Sequence, residues 1–355
     1  MSLAATASGG LDDRAVLGRL CCLALGAVLA VVSLASLTFG ASGVDLWSVG
    51  GAILRGEEGS QRDRIVLLDI RLPRLLMGVL VGAALAVSGA VMQGLFRNPL
   101  ADPGLVGVSA GAVLGAVTAI VVGSALPVWV IGWTGIYAVP VAAFLGGWAS
   151  TILLYRVSTR RGRTSVATML LAGIALGALT GAVSGLMIYA ADDGELRELT
   201  FWGLGSLAGA SWAKLAAAAP AILLALAATP LLARGLDALA LGEAAAMHLG
   251  QPVQRIKNAA ILSVAAATGA AVAVSGGIGF VGIVVPHLLR LMIGPSHRWL
   301  LPNAALLGAV FLVGADILSR SVIPPAELPI GIVTAVVGGP VFLWILLRSH
   351  GVVDL

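Results

Sequence analysis

Residues Ile70–Gly111 read IRLPRLLMGVLVGAALAVSGAVMQGLFRNPLADPGLVGVSAG. Two arginines flank a proline, and a long apolar, glycine-rich run follows. The run breaks at Arg97-Asn98-Pro99, with Asp102-Pro103-Gly104 just after, and then resumes. This is the pattern of a membrane helix, a polar hairpin and the start of a second membrane helix. Pro73 suits the first turn of a helix, where its missing N–H has no partner to lose. Arg71 and Arg74, three apart, then share roughly one face at the mouth of the span.

The rest of the chain extends this reading. Of its 355 residues 59% are hydrophobic and 11% charged, with a mean hydropathy of +1.03. Soluble domains are about 45–50% apolar and about 25% charged, so the chain is an integral membrane protein. A membrane barrel would show alternating segments of about ten residues; these runs are continuous, so the spans are helical. Glycine, at 47 residues, lets membrane helices approach closely where lipid gives no hydrophobic drive for association.

A span needs about 20 apolar residues, which gives about ten spans. Their cores are Val16–Phe39, Leu75–Met92, Leu100–Val122, Ile136–Tyr155, Ala167–Tyr189, Ala213–Leu232, Ala259–Ser275, Ile278–Ile293, Pro302–Leu318 and Ile330–Leu347. The first is too long for a secretory signal and reads as a retained span. Cys21 and Cys22 within it are adjacent, so their side chains diverge and no disulfide framework follows. With the N-terminus cytoplasmic, Arg97, Arg156, Arg160, Arg161, Arg163, Arg234, Arg255, Lys257, Arg298 and Arg348 all fall on the cytoplasmic side. Asp192, Asp193, Glu195 and Glu198 fall opposite, as the positive-inside rule requires. Both termini are therefore expected in the cytoplasm. Arg71 and Arg74 breach the rule; snorkelling to headgroups is one account of them. Val44–Leu54 is amphipathic enough to lie on the outer surface as a short helix.

Ala83–Ala90 resembles Ala270–Gly277, and the same offset carries Pro99 to Pro286. One copy starts outside and the other inside, as in the inverted repeats of transporters. The expectation is one transmembrane permease domain over residues 1–355, with halves about 70–190 and 258–350 and a cytoplasmic loop about 233–258. In that loop Leu241–Leu249 reads as a short helix stopped by Gly250, with Glu243 favourable near its N-terminus. Its compactness points to a docking partner.

Some chemistry is missing. No GxxxxGK[ST] phosphate loop occurs, and Lys214 and Lys257, the two lysines, follow no glycine-rich loop, so ATP is not bound here by that device. His248, His287, His297 and His350 show no metal-ligand spacing. Asp316, four residues before Arg320, reads as one half of a helix-internal pair or as a proton relay. Trp129, Trp133 and Trp148 read as interfacial anchors.

The blocks IRLPR, VGAALAVSGAVMQGLFRNPLADPGLVGVSAG, LALGEAAAMHLG, GFVGIVVPHLLR and ADILSR followed by AELPIG occur in the order seen in a known family. From Ile70 onward the chain resembles the FecCD-type iron-siderophore, haem and vitamin B12 ABC importer permeases, most of all the bacterial haem permeases. The resemblance implies an all-α, type II importer fold like that of the B12 permeases, in the bacterial inner membrane. It implies a homodimer, two ATPase subunits below and a periplasmic substrate-binding protein above, with no nucleic-acid partner. ATP and Mg would be bound by the partner ATPase, so this chain is a transport subunit rather than an enzyme, with no catalytic or metal site.

Residue by residue, the resemblance matches Arg71, Arg74 and Arg320 to outward arginines that pair with glutamates of the binding protein. It matches Leu241, Gly242, Glu243, Ala244, Ala245 and Gly250 to the loop that couples to the ATPase. The fifth and tenth spans line the path in this family. Val166 and Ala167 stand where B12 permeases have a Thr-Ser gate, and Ala110 where they have asparagine. These smaller or more apolar groups favour haem as cargo, then a ferric siderophore, with vitamin B12 as the alternative. The rival of another class is an ion-gradient-driven secondary carrier. A passive channel or scaffold explains neither the outer arginines nor the cytoplasmic loop.

Overall fold

A computed structural model describes residues 3–39, 50, 51, 55, 60–124, 135–161, 163–324 and 326–348. Apart from Gly50 and Gly51, the expected surface helix Val44–Leu54 lies outside the described residues, as do Trp129, Trp133 and His350. The helices in chain order are α1 (Leu3–Thr38), α2 (Gln61–Ile65), α3 (Leu72–Phe96), α4 (Val108–Ser124), α5 (Ala138–Ser158) and α6 (Val166–Ala190). Then come α7 (Asp193–Leu204), α8 (Trp212–Ala240), α9 (Glu243–His248), α10 (Val253–Ser275), α11 (Val281–Ile293), α12 (His297–Ser321) and α13 (Ile330–Arg348). Two short strands, β1 (Thr159–Arg160) and β2 (Arg163–Thr164), form an antiparallel hairpin between α5 and α6.

Among the described residues seven helices are long and apolar enough to cross a membrane, and three shorter apolar helices accompany them. Together they account for the ten expected spans. The centre is α3, buried along almost its whole length and packed against α8, α10, α11 and α12. Its sequence explains this. Small residues at Gly82 and Gly89 leave no side chain between backbones. A Cβ on Gly82 would collide with the Gly308 carbonyl of α12, and one on Gly89 with the Gly282 carbonyl of α11. Arg74 meets Asp316, Gly78 meets Val313, Gly82 meets Gly308 and Gly94 meets His297, so α3 and α12 run antiparallel. α1 meets α12 in the same direction, with Gly18 beside Trp299 and Ser36 beside Arg320.

Several boundaries differ from those read in the sequence. The expected span Leu100–Val122 is helical only from Val108. Before it, the Asp102 side chain accepts from the Gly104 N–H at 2.7 Å and starts a 3-10 turn at Pro103–Val106, ended by Gly107 at φ +78. The sixth span runs on to Ala240 rather than stopping at Leu232, and the seventh begins at Val253. The expected loop 233–258 thus shrinks to Leu241–Pro252, with α9 inside it. The acidic stretch after α6 is a helix, α7, opened by a capping box between Asp192 and Glu195.

The two segments matched in the sequence sit differently within their helices. Ser88 and Gly89 lie within α3, whereas Ser275 ends α10 and Gly276 is its cap; Pro99 sits in a turn, whereas Pro286 is inside α11.

Candidate functional site

The polar groups gather at two ends of the bundle. Arg74 opens α3 and Arg97 closes it, so the ends are about 35 Å apart at 1.5 Å rise per residue. Gly242, beside Glu243, lies 3.8 Å (measured from where its Cβ would stand) from the Arg97 guanidinium. That places α9 at the end opposite Arg74.

At the Arg74 end three helices are laced together. Arg74 donates from Nε to Asp316 Oδ1 at 2.9 Å and Oδ2 at 3.2 Å, and from Nη1 and Nη2 to the two oxygens of Glu327 at 2.9 Å each. Arg320 lies 3.5 Å from Asp316 Oδ2 and donates to the Ser36 carbonyl and hydroxyl of α1 at 2.8 and 2.7 Å. Arg71 donates to the carbonyls of Leu37 and Thr38. The structure does bring together the arginines singled out in the sequence. It also buries them: Arg71, Arg74 and Arg320 are only 4%, 7% and 8% exposed, and Asp316 2%. In this single chain they therefore face groups of the chain itself. Each is hydrogen-bonded within the chain, as a buried charge must be paired, although Arg320 Nε makes only the 3.5 Å ion pair with Asp316 and no hydrogen bond. Asp316 pairs across to Arg74 as well as along its own helix to Arg320, so its carboxylate is held between two guanidiniums. Glu327, whose side chain is 37% exposed, is the reachable member of the cluster. Sequence reasoning missed it, although it stands in the quoted AELPIG block.

At the opposite end α9 presents an exposed apolar set, Leu241, Met247 and Leu249. Gly242 precedes it at φ +104 and ψ 153, and Gly250 follows it at φ +75. Ala244 is exposed and Ala245 half-buried. Glu243 does more than sit at the helix start: its Oε1 takes Lys257 Nζ at 2.6 Å. Lys257, buried in α10, also donates to the Thr164 carbonyl at 2.8 Å. The sequence marked Lys257 as a rare lysine and a cytoplasmic positive charge, with no sign of this contact.

The gate positions Val166 and Ala167 begin α6, capped by Ser165, and Ala110 lies in the first turn of α4. These two helices pack together. Ser109, next to Ala110, lines a cavity of about 290 Å³ together with Asp102, Thr268, Trp202 and Gly277. Most of α6 is exposed, and among the described residues no atom lies within 4 Å of a Cβ placed on Gly177, Gly181 or Gly185. His297 is not free: its Nδ1 lies 2.6 Å from Asp237 Oδ1. Trp148 packs against Phe144 in α5.

The FecCD transport family matches residues 28–348. The hemin transport system permease protein HmuU of Yersinia pestis is 44% identical over 348 residues, covering 97% of this chain and 98% of that one. The vitamin B12 import system permease protein BtuC of Escherichia coli is 42% identical over 328 residues, covering 90% of this chain and 94% of that one. A solved structure described as an inward-facing ABC transporter of metal-chelate type superposes with a TM-score of 0.80 at 31% identity, covering 92% of this chain and 98% of that one.

Proposed function

The chain belongs to the FecCD transport family of ABC importer permeases, and from that footing we propose that it carries haem inward across the bacterial inner membrane. The observation that carries the choice of cargo is the likeness to a hemin permease over 97% of this chain. The small or apolar residues Ala110 in α4 and Val166 and Ala167 at the start of α6 suit a flat, largely apolar ligand. In this reading the Glu243 end and both termini are cytoplasmic, and the Arg74 end faces the periplasm.

Two ATPase subunits dock on α9, whose exposed Leu241, Met247 and Leu249 supply an apolar contact flanked by Gly242 and Gly250. ATP and Mg are bound there, by the partner and not by this chain. A second copy of the chain packs across the open glycine face of α6, where small residues permit close helix approach. A periplasmic binding protein docks at the Arg71–Arg74–Arg320 end. ATP binding favours one arrangement of the assembly over another, and only that difference in affinity moves the equilibrium. A proton-driven carrier is disfavoured because Asp316, the clearest intramembrane acid, is held by two guanidiniums.

Docking at the arginine end has a specific consequence. Glu327 occupies both terminal nitrogens of Arg74, so an acidic partner must compete with it. Glu327→Gln is expected to tighten binding of the binding protein by up to about fivefold, the size of a partly exposed ion pair. Titration of the detergent-solubilised complex measures this, and weaker binding would count against docking through Arg74. For the cargo, the complex reconstituted in liposomes is offered haem, a ferric siderophore and vitamin B12 in parallel. Haem is expected to be taken up fastest; preferential uptake of vitamin B12 would overturn the assignment.

A further inference from the structure

Thr164 is the last residue of the β1–β2 hairpin and stands immediately before Ser165, the cap of α6. It is 4% exposed, and every one of its polar atoms is engaged. Its N–H donates to Gln254 Oε1 at 2.9 Å, its hydroxyl receives Gln254 Nε2 at 2.6 Å and meets the Thr159 hydroxyl at 2.9 Å, and its carbonyl receives Lys257 Nζ at 2.8 Å. Gln254 and Lys257 are successive turns of one face of α10, where residues three apart are neighbours. The same Lys257 ammonium reaches Glu243 of α9 at 2.6 Å. One buried cation, 3% exposed, therefore joins the coupling helix, the start of α10 and the backbone that feeds α6.

We propose that Lys257 is the positioning residue through which movement of α9 is passed to the start of α6. The inference rests on the permease reading above and deepens it. A push on α9 shifts Glu243. A buried ammonium cannot let go of that carboxylate without leaving a charge unpaired, which is costly in a low-dielectric site. The shift is carried to the Thr164 carbonyl instead, and Ser165, Val166 and Ala167 follow because they continue the same backbone. Gln254 keeps Thr164 in register with α10, so α6 and α10 respond together. The apolar contacts of Leu241, Met247 and Leu249 hold the ATPase in place; the Glu243–Lys257–Thr164 chain converts its motion.

The test uses the complete complex in liposomes with haem as the probe, comparing wild type, Lys257→Met and Glu243→Gln. Lys257→Met keeps the length of the side chain and removes the charge. Glu243 is partly exposed, so Glu243→Gln keeps the question open if Lys257→Met fails to accumulate. The quantity read is ATP hydrolysed per haem transported. Both variants are expected to raise it about tenfold, a coupling change of ordinary size, and the double variant is expected to be no worse than either alone. An unchanged ratio overturns the proposal, whether uptake is intact or falls in step with lost ATPase binding, since the latter marks a purely structural contact. If wild type itself shows no ATP-dependent haem uptake, the permease reading fails, and that result is distinct from failure of the variants to uncouple.

Discussion

Replacing Arg74 with alanine is expected to lower the stability of the folded permease by about 3–5 kcal/mol, the cost of leaving a buried ionic partner uncompensated. Arg74 gives Asp316 its two closest charged hydrogen bonds, at 2.9 and 3.2 Å, while Arg320 stands at 3.5 Å. Without Arg74 a carboxylate that is 2% exposed keeps only the longer contact. The same substitution releases Glu327, and with it the link from α3 to the segment before α13. Denaturant unfolding of the purified protein in micelles measures the effect. Glu327→Gln is the internal control: Glu327 itself is partly exposed, so its stability cost should stay below about 1 kcal/mol. Equal, small effects of both substitutions would show that the cluster does not hold α3 and α12 together.

The second large effect is expected at Gly242. Its φ of +104 and ψ of 153 lie in a region open essentially to glycine alone, and forcing another residue there costs about 1–3 kcal/mol. Gly242→Val is therefore expected to re-aim the first turn of α9, pulling Glu243 away from Lys257. ATP-driven haem uptake should fall about tenfold, as for loss of one ordinary coupling interaction. Gly250, at φ +75, occupies the left-handed region that asparagine also tolerates. Gly250→Asn should thus be much milder than Gly242→Val. Uptake assays on the two variants side by side decide the matter, and equal loss at both positions would contradict the backbone argument.

What could be read in the chain and what could not divide along a physical line. Long apolar runs announce membrane helices because hydrocarbon demands internally satisfied backbone groups, and Pro73 marks the start of α3 for the same local reason. The short helix after Gly242 was legible from Glu243 and Gly250. The break at Leu100–Gly107 was hidden by its Leu and Val content, although Asp102 supplies the local hydrogen bond that makes it. Residues 233–240 looked like loop because of Arg234 and Asp237, yet α8 continues there and His297 satisfies Asp237. The capping box at Asp192 and Glu195 was a readable signal that went unused.

Pairings at long range were not legible at all. Arg74 meets Asp316 and Glu327 across separations of 242 and 253 residues, and no local pattern carries that information. This is why the arginines could be picked out by resemblance while their burial could not. It is also why Lys257, unremarkable in QRIK, emerges as the hinge between α9 and α6 only once the helices are packed.

Haem import driven by a partner's ATP can be tested directly in liposomes. The most direct measurement loads liposomes containing the permease, its ATPase and its binding protein, supplies haem outside, and compares ATP inside with a proton or sodium gradient and no ATP. Uptake is expected with ATP, collapse of uptake when the ATPase is omitted, and none from either gradient alone. Haem accumulation driven by a gradient without ATP would contradict that expectation.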